Sequence, residues 1–429
     1  MRLGGRLSGA IDVLTDIETR RRPVADALKD WGLSHRFAGS GDRAAIGNIV
    51  YDALRMKLSH AYLMDDDSPA ALGHAVLLRQ WGLSPEALAV EFEGDRFAPE
   101  PLSGEKLAAL RARNLDEAAP HVQGDIPEWV QPAFEANFSD DWLAEAKALA
   151  GRPTLDLRAN TLKAGRDKVL KALERNGAAA AAIARHGIRI PAGEGPSRLP
   201  NVTADLAFQK GWFEVQDEGS QIVADLVFAQ EGEQVLDFCA GGGGKTLAMA
   251  AAMNNKGQVH AYDTDRKRLA PIIERLKRAG TRNVQVHEDM SSLSPLAARF
   301  DRVLVDAPCT GTGTWRRRPD TKWRLTEKNL EERLAQQQEA LANASAFVRP
   351  GGLLLYVTCS ILPQENEAQV HGFCAANPEF EILPAADTWR NLFGSDGPQP
   401  RSKDGKTVTL TPASTDTDGF FFCAMGRKA

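Results

Sequence analysis

A strand, a glycine loop and the start of a helix follow one another in Val235-Leu236-Asp237-Phe238-Cys239-Ala240-Gly241-Gly242-Gly243-Gly244-Lys245-Thr246. The opening residues form the largely apolar run of a strand covered on both faces, and glycine lets the following turn bring its backbone close to a ligand. From residue 211 onward, strands of this kind alternate with helical patterns, which is typical of a doubly wound sheet. We therefore predict an α/β fold with a Rossmann-like domain at residues 211–429.

The alternation predicts the individual elements of this domain. A segment rich in glycine and proline at 394–418 shows no clear periodicity and is predicted to be a flexible excursion. Strands are expected at residues 234–239, 258–262, 283–287, 302–306, 352–358 and 419–425, and helices at about 244–253, 265–279, 329–347 and 363–376.

Two smaller domains are predicted ahead of the sheet. Residues 1–140 show helical periodicity, for example at Ile46, Ile49 and Leu54, and contain few strand-like runs. Residues 141–210 mix a strand, a helix and short extended pieces. The first segment is therefore predicted to be an all-α domain, and the second a compact α+β domain.

Composition restricts the class of protein. Hydrophobic residues make up 43% of the 429 residues and charged residues 25%, values typical of multidomain soluble proteins. Because no apolar stretch is long enough for a signal peptide or a membrane span, we expect a cytoplasmic monomer without membrane contact. The five cysteines form no Cys-x-x-Cys pair, and the eight histidines show no metal-binding spacing. Neither disulfides nor a bound metal are expected.

Charge is unevenly distributed along the chain. The net charge of −5 at pH 7 argues mildly against a nucleic-acid partner, yet residues 263–324 hold 14 Lys and Arg against 8 Asp and Glu. The densest part, residues 316–324, includes Trp323 and directly follows Trp315. Phosphate contacts together with a stacking ring are what a single-stranded nucleic acid requires. This segment is predicted to bind one, with a solvated helix face as the alternative.

Three cofactors compete for the glycine loop. A phosphate-binding P-loop needs a glycine where Cys239 stands, and a dinucleotide fingerprint needs one where Thr246 stands. S-adenosylmethionine (SAM) needs only close approach of the backbone and an acid for its ribose. Asp263 ends the next strand and is the candidate acid, while Asp289 follows the third strand and is a candidate for the adenine amino group. Capping of the helix predicted at 265 is the alternative role for Asp263.

Two cysteines follow predicted parallel strands, in Asp306-Ala307-Pro308-Cys309 and in Thr358-Cys359-Ser360. Ligands of open α/β sheets bind beyond the carboxyl ends of the strands, so the two thiols are expected to face one pocket if their strands are neighbours. A methyl donor beside paired thiols indicates methylation of carbon 5 of a pyrimidine, because that carbon becomes nucleophilic only after a thiolate has attacked carbon 6.

Other side chains are expected to assist this chemistry. Lys245 is a candidate for favouring the thiolate, because an ordinary cysteine is mostly protonated at neutral pH. A protonated Asp306 could donate a hydrogen bond to ring nitrogen 3, and the second thiol could assist elimination of the enzyme sulfur. Which cysteine attacks stays open at this point. A cysteine after proline, as in DNA cytosine methyltransferases, favours Cys309, whereas the Thr-Cys cysteine of RNA cytosine methyltransferases favours Cys359. The remaining cysteines are predicted to pack in the core, at Cys374 and Cys423, or to line the cofactor site, at Cys239.

Several short motifs resemble those of the bacterial RsmB/Sun (Fmu) and eukaryotic Nop family of RNA cytosine-5 methyltransferases. The N-terminal region, especially residues 42–55, is similar to the NusB-like RNA-binding domain of the RsmB branch. The matching motifs are Leu157-Arg158-Ala159-Asn160-Thr161, Gln216-Asp217-Glu218-Gly219-Ser220, the glycine loop, Asp306-Ala307-Pro308-Cys309-Thr310-Gly311-Thr312-Gly313, Arg317-Arg318-Pro319-Asp320, Thr358-Cys359-Ser360, Glu365-Asn366-Glu367 and Gly419-Phe420-Phe421.

The resemblance implies SAM-dependent methylation of a cytosine in RNA, with ribosomal RNA of the small subunit as the expected substrate. It implies that Cys359 is the nucleophile and that Cys309 assists release of the product. It also implies SAM contacts from the loop at 239–245, comprising Cys239, Ala240, Gly241, Gly242, Gly243, Gly244 and Lys245, and from Asp263, Asp289 and Asp306. The family usually has proline where Gly242 stands. Without the fixed φ angle of that proline, ordering the loop costs about 0.4–1 kcal/mol more free energy. This is expected to weaken SAM binding without abolishing it.

Three other functions stay open on the sequence. Transfer RNA is an alternative substrate for the same reaction, and a catalytically idle RNA-binding assembly factor could retain the fold. An ATP-hydrolysing P-loop protein is disfavoured because the first glycine of its motif is missing. Both cysteines, the acids and the lysine are present, which favours the enzyme.

Overall fold

The computed structural model describes residues 1–429, and the chain forms two compact units. Each unit is assembled from segments that are distant in sequence. Unit 1 comprises residues 1–153, 192–199 and 315–325, and unit 2 comprises residues 154–191, 200–314 and 326–429. The predicted domain boundaries after residues 140 and 210 stay a prediction.

Unit 1 is built from helices, which confirms the all-α fold predicted for the N-terminal region. Its core is formed by apolar residues at helical spacing, among them Leu7 and Leu14 on the first helix and Ile46 and Ile49 on the third. No helix of the chain is both long and apolar enough to span a membrane. The N-terminal helices are α1 (Leu3–Arg20), α2 (Val24–Ser34), α3 (Ser40–Arg55), α4 (Lys57–Met64), α5 (Pro69–Ala75), α6 (Pro85–Phe92), α7 (Gly104–Ala112), α8 (Pro120–Gln123), α9 (Gln131–Phe138) and α10 (Trp142–Leu149).

The last segment of unit 1 carries the tryptophans that were predicted to stack on a nucleic acid. Trp315 is fully buried, and the Nε1 of Trp323 donates a hydrogen bond of 2.6 Å to the carbonyl oxygen of Leu54. Lys322 is also buried, and its Nζ donates to the carbonyl oxygen of Arg55 at 2.9 Å. Trp315 and Lys322 pack inside the helical unit and Trp323 packs against it, so the prediction that Trp315 stacks on a nucleic acid is wrong. Binding of a nucleic acid by the rest of the segment stays a prediction.

Unit 2 contains two sheets. The smaller one is antiparallel in the order β2-β3-β1-β4, and its strand β1 lies within the segment for which the sequence predicted a strand. The strands are β1 (Leu155–Ala159), β2 (Ala179–Ala180), β3 (Gly187–Ile190), β4 (Phe213–Val215), β5 (Gln234–Asp237), β6 (Gln258–Tyr262), β7 (Val284–His287), β8 (Phe300–Asp306), β9 (Val348–Thr358), β10 (Phe380–Leu383), β11 (Thr407–Leu410) and β12 (Phe420–Arg427).

The larger sheet has the order β10-β12-β9-β8-β5-β6-β7, with β11 paired to β12. Strands β5 to β9 are parallel to one another, whereas β12 pairs antiparallel with β9, β10 and β11. This sheet confirms the predicted Rossmann-like fold. The strand order reverses at β5, which has β6 on one side and β8 on the other, and such a reversal opens a crevice at the carboxyl ends of the strands.

Helices connect these strands and complete the chain. The helix predicted at 265–279 is broken in two, because Pro271 has no N–H to continue it. The remaining helices are α11 (Arg166–Ala172), α12 (Leu206–Gln209), α13 (Glu218–Leu226), α14 (Gly244–Ala252), α15 (Arg266–Leu269), α16 (Ile272–Ala279), α17 (Pro319–Arg324, in unit 1), α18 (Glu327–Ser345), α19 (Glu367–Ala376), α20 (Ala385–Phe393) and α21 (Pro412–Thr415).

The region at 394–418 differs from the prediction of a flexible excursion. It contains β11, whose four residues are all buried and which pairs with β12 through Thr409 and Phe421. The sequence analysis also missed β10 and α20 just before this region. A short strand such as β11 carries little periodicity of its own and is formed by the hydrogen bonds of its partner strand.

Candidate active site

The two cysteines that follow β8 and β9 lie side by side. These strands are parallel neighbours, with Asp306 opposite Val357, and the Sγ atoms of Cys309 and Cys359 are 3.4 Å apart. The two strands are therefore neighbours, as the expectation of a shared pocket requires, and the two sulfur atoms are in contact.

A buried carboxylate fixes the loop that carries Cys309. Glu365 is fully buried and accepts hydrogen bonds from the backbone N of Thr310 at 2.8 Å and from the hydroxyl of the same residue. It also accepts from Nε2 of Gln337 at 2.9 Å, and that nitrogen bonds the carbonyl oxygen of Pro308 at 3.0 Å. The residues on both sides of Cys309 are thus tied to one carboxylate and one amide.

The next residue in sequence, Asn366, fixes the loop that carries Cys359. Its Oδ1 accepts from Oγ1 of Thr358 at 2.6 Å, and its Nδ2 donates to the carbonyl oxygen of Ser360 at 2.9 Å. The backbone N of Gly313 donates to the carbonyl oxygen of Cys359 at 3.0 Å. The motif Glu365-Asn366 was noted in the sequence without a role, and the structure shows that it holds the two cysteine loops at their separation.

Glu365→Gln is expected to slow methyl transfer about tenfold or more. The amide nitrogen cannot accept, so one donor of Thr310 loses its partner in a buried place, at a cost on the order of 2 kcal/mol, and the Cys309 loop loosens. Glu367→Gln is the matched control, because Glu367 makes no contact with either cysteine loop. Steady-state rates at saturating SAM test this; equal rates for the two variants would show that Glu365 does not position the thiol.

The environment of the thiols is asymmetric. The hydrogen bond with Cys359 and burial raise the pKa of the Cys309 thiol well above its ordinary value. Burial also raises the pKa of Cys239, with Asp263 and Asp306 adding to the effect. Both groups are therefore held as neutral thiols, which are poor nucleophiles; the lining of the cofactor site by Cys239 stays a prediction.

Lys245 lies with Asp306 at the first turn of α14. Its Nζ is 2.6 Å from Oδ2 of Asp306 and 5.3 Å from the ring centre of Phe420. The lysine is 7% exposed, whereas the side chain of Asp306 is 32% exposed, so only the lysine end of this ion pair is shielded from water. The pair brings together two of the residues predicted to serve the chemistry.

The glycine loop folds against Asp263. Gly241 and Gly243 have φ values of 50° and 79°, which side chains rarely adopt, and a Cβ at Gly243 would lie 2.4 Å from Ile272. Oδ2 of Asp263 accepts from the backbone N of Gly241 at 2.8 Å. The residue that caps α15 is Asp265, so the alternative role of Asp263 as the cap of this helix is wrong.

Two arginines hold the carbonyl groups of the loop. Nη1 of Arg275 donates to the carbonyl oxygen of Gly242 at 2.6 Å, and Nη1 of Arg158 donates to that of Gly244 at 2.9 Å. Glu214 pairs with Arg275 at 3.0 Å. The sequence analysis missed Arg275 and Glu214 as loop supports, and it quoted Arg158 only as part of a motif. The weakening of SAM binding expected from Gly242 stays a prediction.

Asp289 lies beyond β7 and is exposed. Its Oδ1 accepts from the hydroxyl of Ser291 at 2.5 Å and from the backbone N of Ser292 at 3.1 Å, and the first of these bonds lowers its pKa. The hydroxyl of Ser292 also bonds Nδ1 of His287 at 2.9 Å. The carboxylate is therefore oriented at the carboxyl end of the sheet and remains open to a ligand.

Asp237, at the end of β5, is a buried acid that the sequence analysis did not assign. Oδ2 accepts a hydrogen bond of 2.6 Å from Oγ1 of Thr246, and Oδ1 has no hydrogen-bond partner in the protein. Burial raises the pKa of Asp237 to about 7. The side chain joins the end of the strand to the first turn of α14 and so fixes the glycine loop at both of its ends.

These residues fit the donor that the loop was expected to hold. Asp263 and Asp289 end consecutive strands on one side of β5, and the Lys245–Asp306 pair lies on the other side. Asp263 can thus meet the ribose of the donor, Asp289 its adenine, and the Lys245–Asp306 pair its methyl-bearing end. No group of three or more His, Cys, Asp or Glu that could hold a metal is present. The fold and the site are those of a SAM-dependent methyltransferase.

Comparison with known proteins shows to which family of methyltransferases the chain belongs. The family model described as 16S rRNA methyltransferase RsmB/F matches residues 224–426, and the model of the ferredoxin-like domain of the RsmF/B-like methyltransferases matches residues 126–193. The chain belongs to the RsmB/F family and is a SAM-dependent RNA methyltransferase.

Curated relatives agree with this assignment, and solved structures share the fold. Ribosomal RNA small subunit methyltransferase B of Cronobacter sakazakii is 33% identical over 325 residues, which cover 74% of this chain and 71% of that protein. The protein of the same name from Erwinia tasmaniensis is 35% identical over 308 residues, or 70% and 66% of the two chains. A methyltransferase homolog from Pyrococcus horikoshii superposes with a TM-score of 0.59 at 25% identity, over 72% of this chain and 97% of that one. NSun6 from the same organism, solved with SFG, has a TM-score of 0.61 at 21% identity over 71% and 98%.

Proposed function

We propose that this chain methylates carbon 5 of a cytosine in small-subunit ribosomal RNA, through a covalent bond between Cys359 and the base. The observation that supports this most directly is the 3.4 Å separation of the Cys309 and Cys359 sulfur atoms. Methyl transfer to an oxygen or an exocyclic nitrogen needs no thiol, whereas carbon 5 of cytosine needs a nucleophile on carbon 6 first. The protein is proposed to act as a cytoplasmic monomer.

The first step is the attack of Cys359 on carbon 6 of an extruded cytosine. The neutral thiol of Cys309 donates a hydrogen bond to the Cys359 sulfur and so favours its thiolate form. As the new carbon–sulfur bond forms, negative charge moves to ring nitrogen 3 of the base. The Lys245–Asp306 pair supplies the proton donor that stabilises this charge.

SAM supplies the methyl group, and the remaining steps restore the aromatic ring. A bond forms between carbon 5 and the methyl carbon while the bond from that carbon to the sulfonium sulfur of SAM breaks, the hydrogen on carbon 5 is lost as a proton to water, and the bond from Cys359 to carbon 6 breaks. The electron pair of that bond returns to the sulfur. Cys309 again donates its hydrogen bond to the departing thiolate, and so assists release of the methylated RNA.

Radioactive methyl transfer tests the proposal. The full chain is incubated with SAM labelled in the methyl group and with small-subunit ribosomal RNA, and the RNA is then digested to nucleosides. Label in 5-methylcytidine is expected. Label in another nucleoside would exclude carbon 5, label only in transfer RNA would replace the substrate, and no label in either RNA would favour an idle assembly factor.

A further inference from the structure

One face of α3 borders a cavity in unit 1. Asn48, Tyr51 and Arg55 recur on α3 at intervals of three and four residues, which places them on one side of the helix. The cavity has a volume of about 240 Å³, and Arg152 and Arg317 complete its polar lining. No carboxylate lines it, so the walls carry three guanidinium groups and no acid.

Two arginines of this cavity share one carboxylate. One carboxylate, that of Asp52, pairs with Nη1 of Arg55 at 2.9 Å and with Nε of Arg152 at 2.9 Å. Arg55 is 7% exposed, and burial lowers its pKa, an effect to which Arg152 contributes and which Asp52 opposes. A buried guanidinium group, that of Arg55, and a half-buried one, that of Arg152, thus share one acid, and a further negative charge would stabilise them.

Three further ionisable groups close to α3 are Asp320, Lys322 and Tyr51. Asp320 accepts from Nη2 of Arg324 at 2.7 Å. Burial lowers the pKa of Lys322 to about 8, with Asp125 opposing the shift. Burial and Asp320 raise the pKa of the Tyr51 phenol, so its hydroxyl stays a donor at neutral pH. None of these groups brings a negative charge to the cavity wall.

Guanidinium groups and a phenol hydroxyl are the donors that match a phosphate group, because the planar forks of arginine meet two of its oxygens at once. The cavity is large enough for a phosphodiester group, and the ring of Tyr51 lies under the guanidinium of Arg55 at 5.6 Å and so does not offer a free face to a base. We propose that this cavity binds a backbone phosphate of the RNA substrate. The proposal rests on the RNA substrate proposed above.

Arg317 connects this cavity with the nucleic-acid binding that was predicted for residues 316–324. The basic segment at 316–324 was expected to bind RNA together with its tryptophans, but Trp315 is packed inside unit 1 and Trp323 against it. Arg317 lines the cavity beside Arg55 and Tyr51. The proposed RNA contact of this segment is therefore not a stacking surface. It is a single phosphate, bound by Arg317 together with side chains of α3.

RNA binding by Arg317→Gln in the full chain tests the site. The probe is a small-subunit ribosomal RNA fragment, and its Kd is measured over a series of KCl concentrations in the presence of SAM. We expect the variant to bind about tenfold more weakly, with a salt slope smaller by about 0.7–0.9 because one phosphate contact is lost. Arg36→Gln is the matched control, an exposed arginine of the same unit outside the cavity, and its Kd should change less than about twofold.

Tyr51→Phe is a second variant that keeps the packing of the ring and removes only the hydroxyl. It should weaken RNA binding about threefold to fivefold. If both Arg317→Gln and Tyr51→Phe bind the RNA as the Arg36→Gln control does, the phosphate site is overturned. A further outcome is that the variants bind inorganic phosphate more weakly but keep the RNA affinity of the control. The cavity would then be a site for a free anion, and the RNA assignment would be overturned. The two proposals can fail separately. If the variants lose RNA affinity but the unchanged protein forms no 5-methylcytidine, the phosphate site is supported and the proposed reaction is overturned.

Discussion

Replacing Cys359 by alanine is expected to abolish methyl transfer and every covalent adduct with RNA. Without the sulfur, carbon 6 of the cytosine has no nucleophile and carbon 5 stays unreactive, so the rate should fall by at least ~10³-fold. SAM binding should be unchanged, because the glycine loop and Asp263 are untouched. Rates of methyl incorporation and denaturing gels that resolve protein–RNA adducts measure the two effects.

Cys309→Ala should give the opposite pattern on the gel. The attack by Cys359 remains possible, but the departing sulfur loses its hydrogen-bond donor, so the adduct should accumulate while turnover stops. Cys374→Ala is the control, because Cys374 lies on α19 and packs against the core. Adducts with Cys359→Ala and none with Cys309→Ala would exchange the roles of the two thiols.

Gly313→Ala is expected to slow methyl transfer about 100-fold. A Cβ at this position would lie 2.2 Å from the carbonyl oxygen of Gly419, which is backbone and cannot move aside. The backbone N of Gly313 bonds the carbonyl oxygen of Cys359 at 3.0 Å, so the strain is passed directly to the nucleophile. Displacement of a reacting group by about 1 Å costs on the order of 10²-fold in rate.

The control for this substitution is Gly372→Ala, because an added Cβ at Gly372 on α19 meets nothing within 4 Å. It should leave kcat unchanged. For Gly313→Ala, we expect kcat to fall while the Kd of SAM stays at the value of the unchanged protein. A kcat near that of the Gly372→Ala variant would show that close packing of Gly313 on Gly419 does not position Cys359.

The catalytic half of the chain was predictable because its signals are local. The apolar runs of β5, β6 and β8 and the glycine loop each occupy a few consecutive residues, and a parallel strand covered on both faces has a recognisable composition. The resemblance added the roles of the cysteines, which spacing alone left open. The two thiols were expected in one pocket, and their sulfur atoms are in contact.

Other features depend on residues that meet only in the folded chain. The basic segment after Cys309 has the composition of an RNA-binding surface, yet Trp315 and Lys322 are buried between helices of unit 1, so part of it belongs to the core. Strand β11 lacks a pattern of its own and exists because β12 supplies its hydrogen bonds. Burial and strand pairing are set by contacts across tens to hundreds of residues, so no local pattern contains them.

The sequence by itself determined the doubly wound sheet, the cofactor loop, its acids and the pair of thiols. Each of these features depends on a few consecutive residues with specific chemistry. Only the tertiary structure decided how the thiols are held together and where the arginines gather. Glu365, Asn366 and Gly313 fix the cysteine loops through buried hydrogen bonds. Such bonds are strong because water is excluded around them, and exclusion of water is a property of the packed molecule.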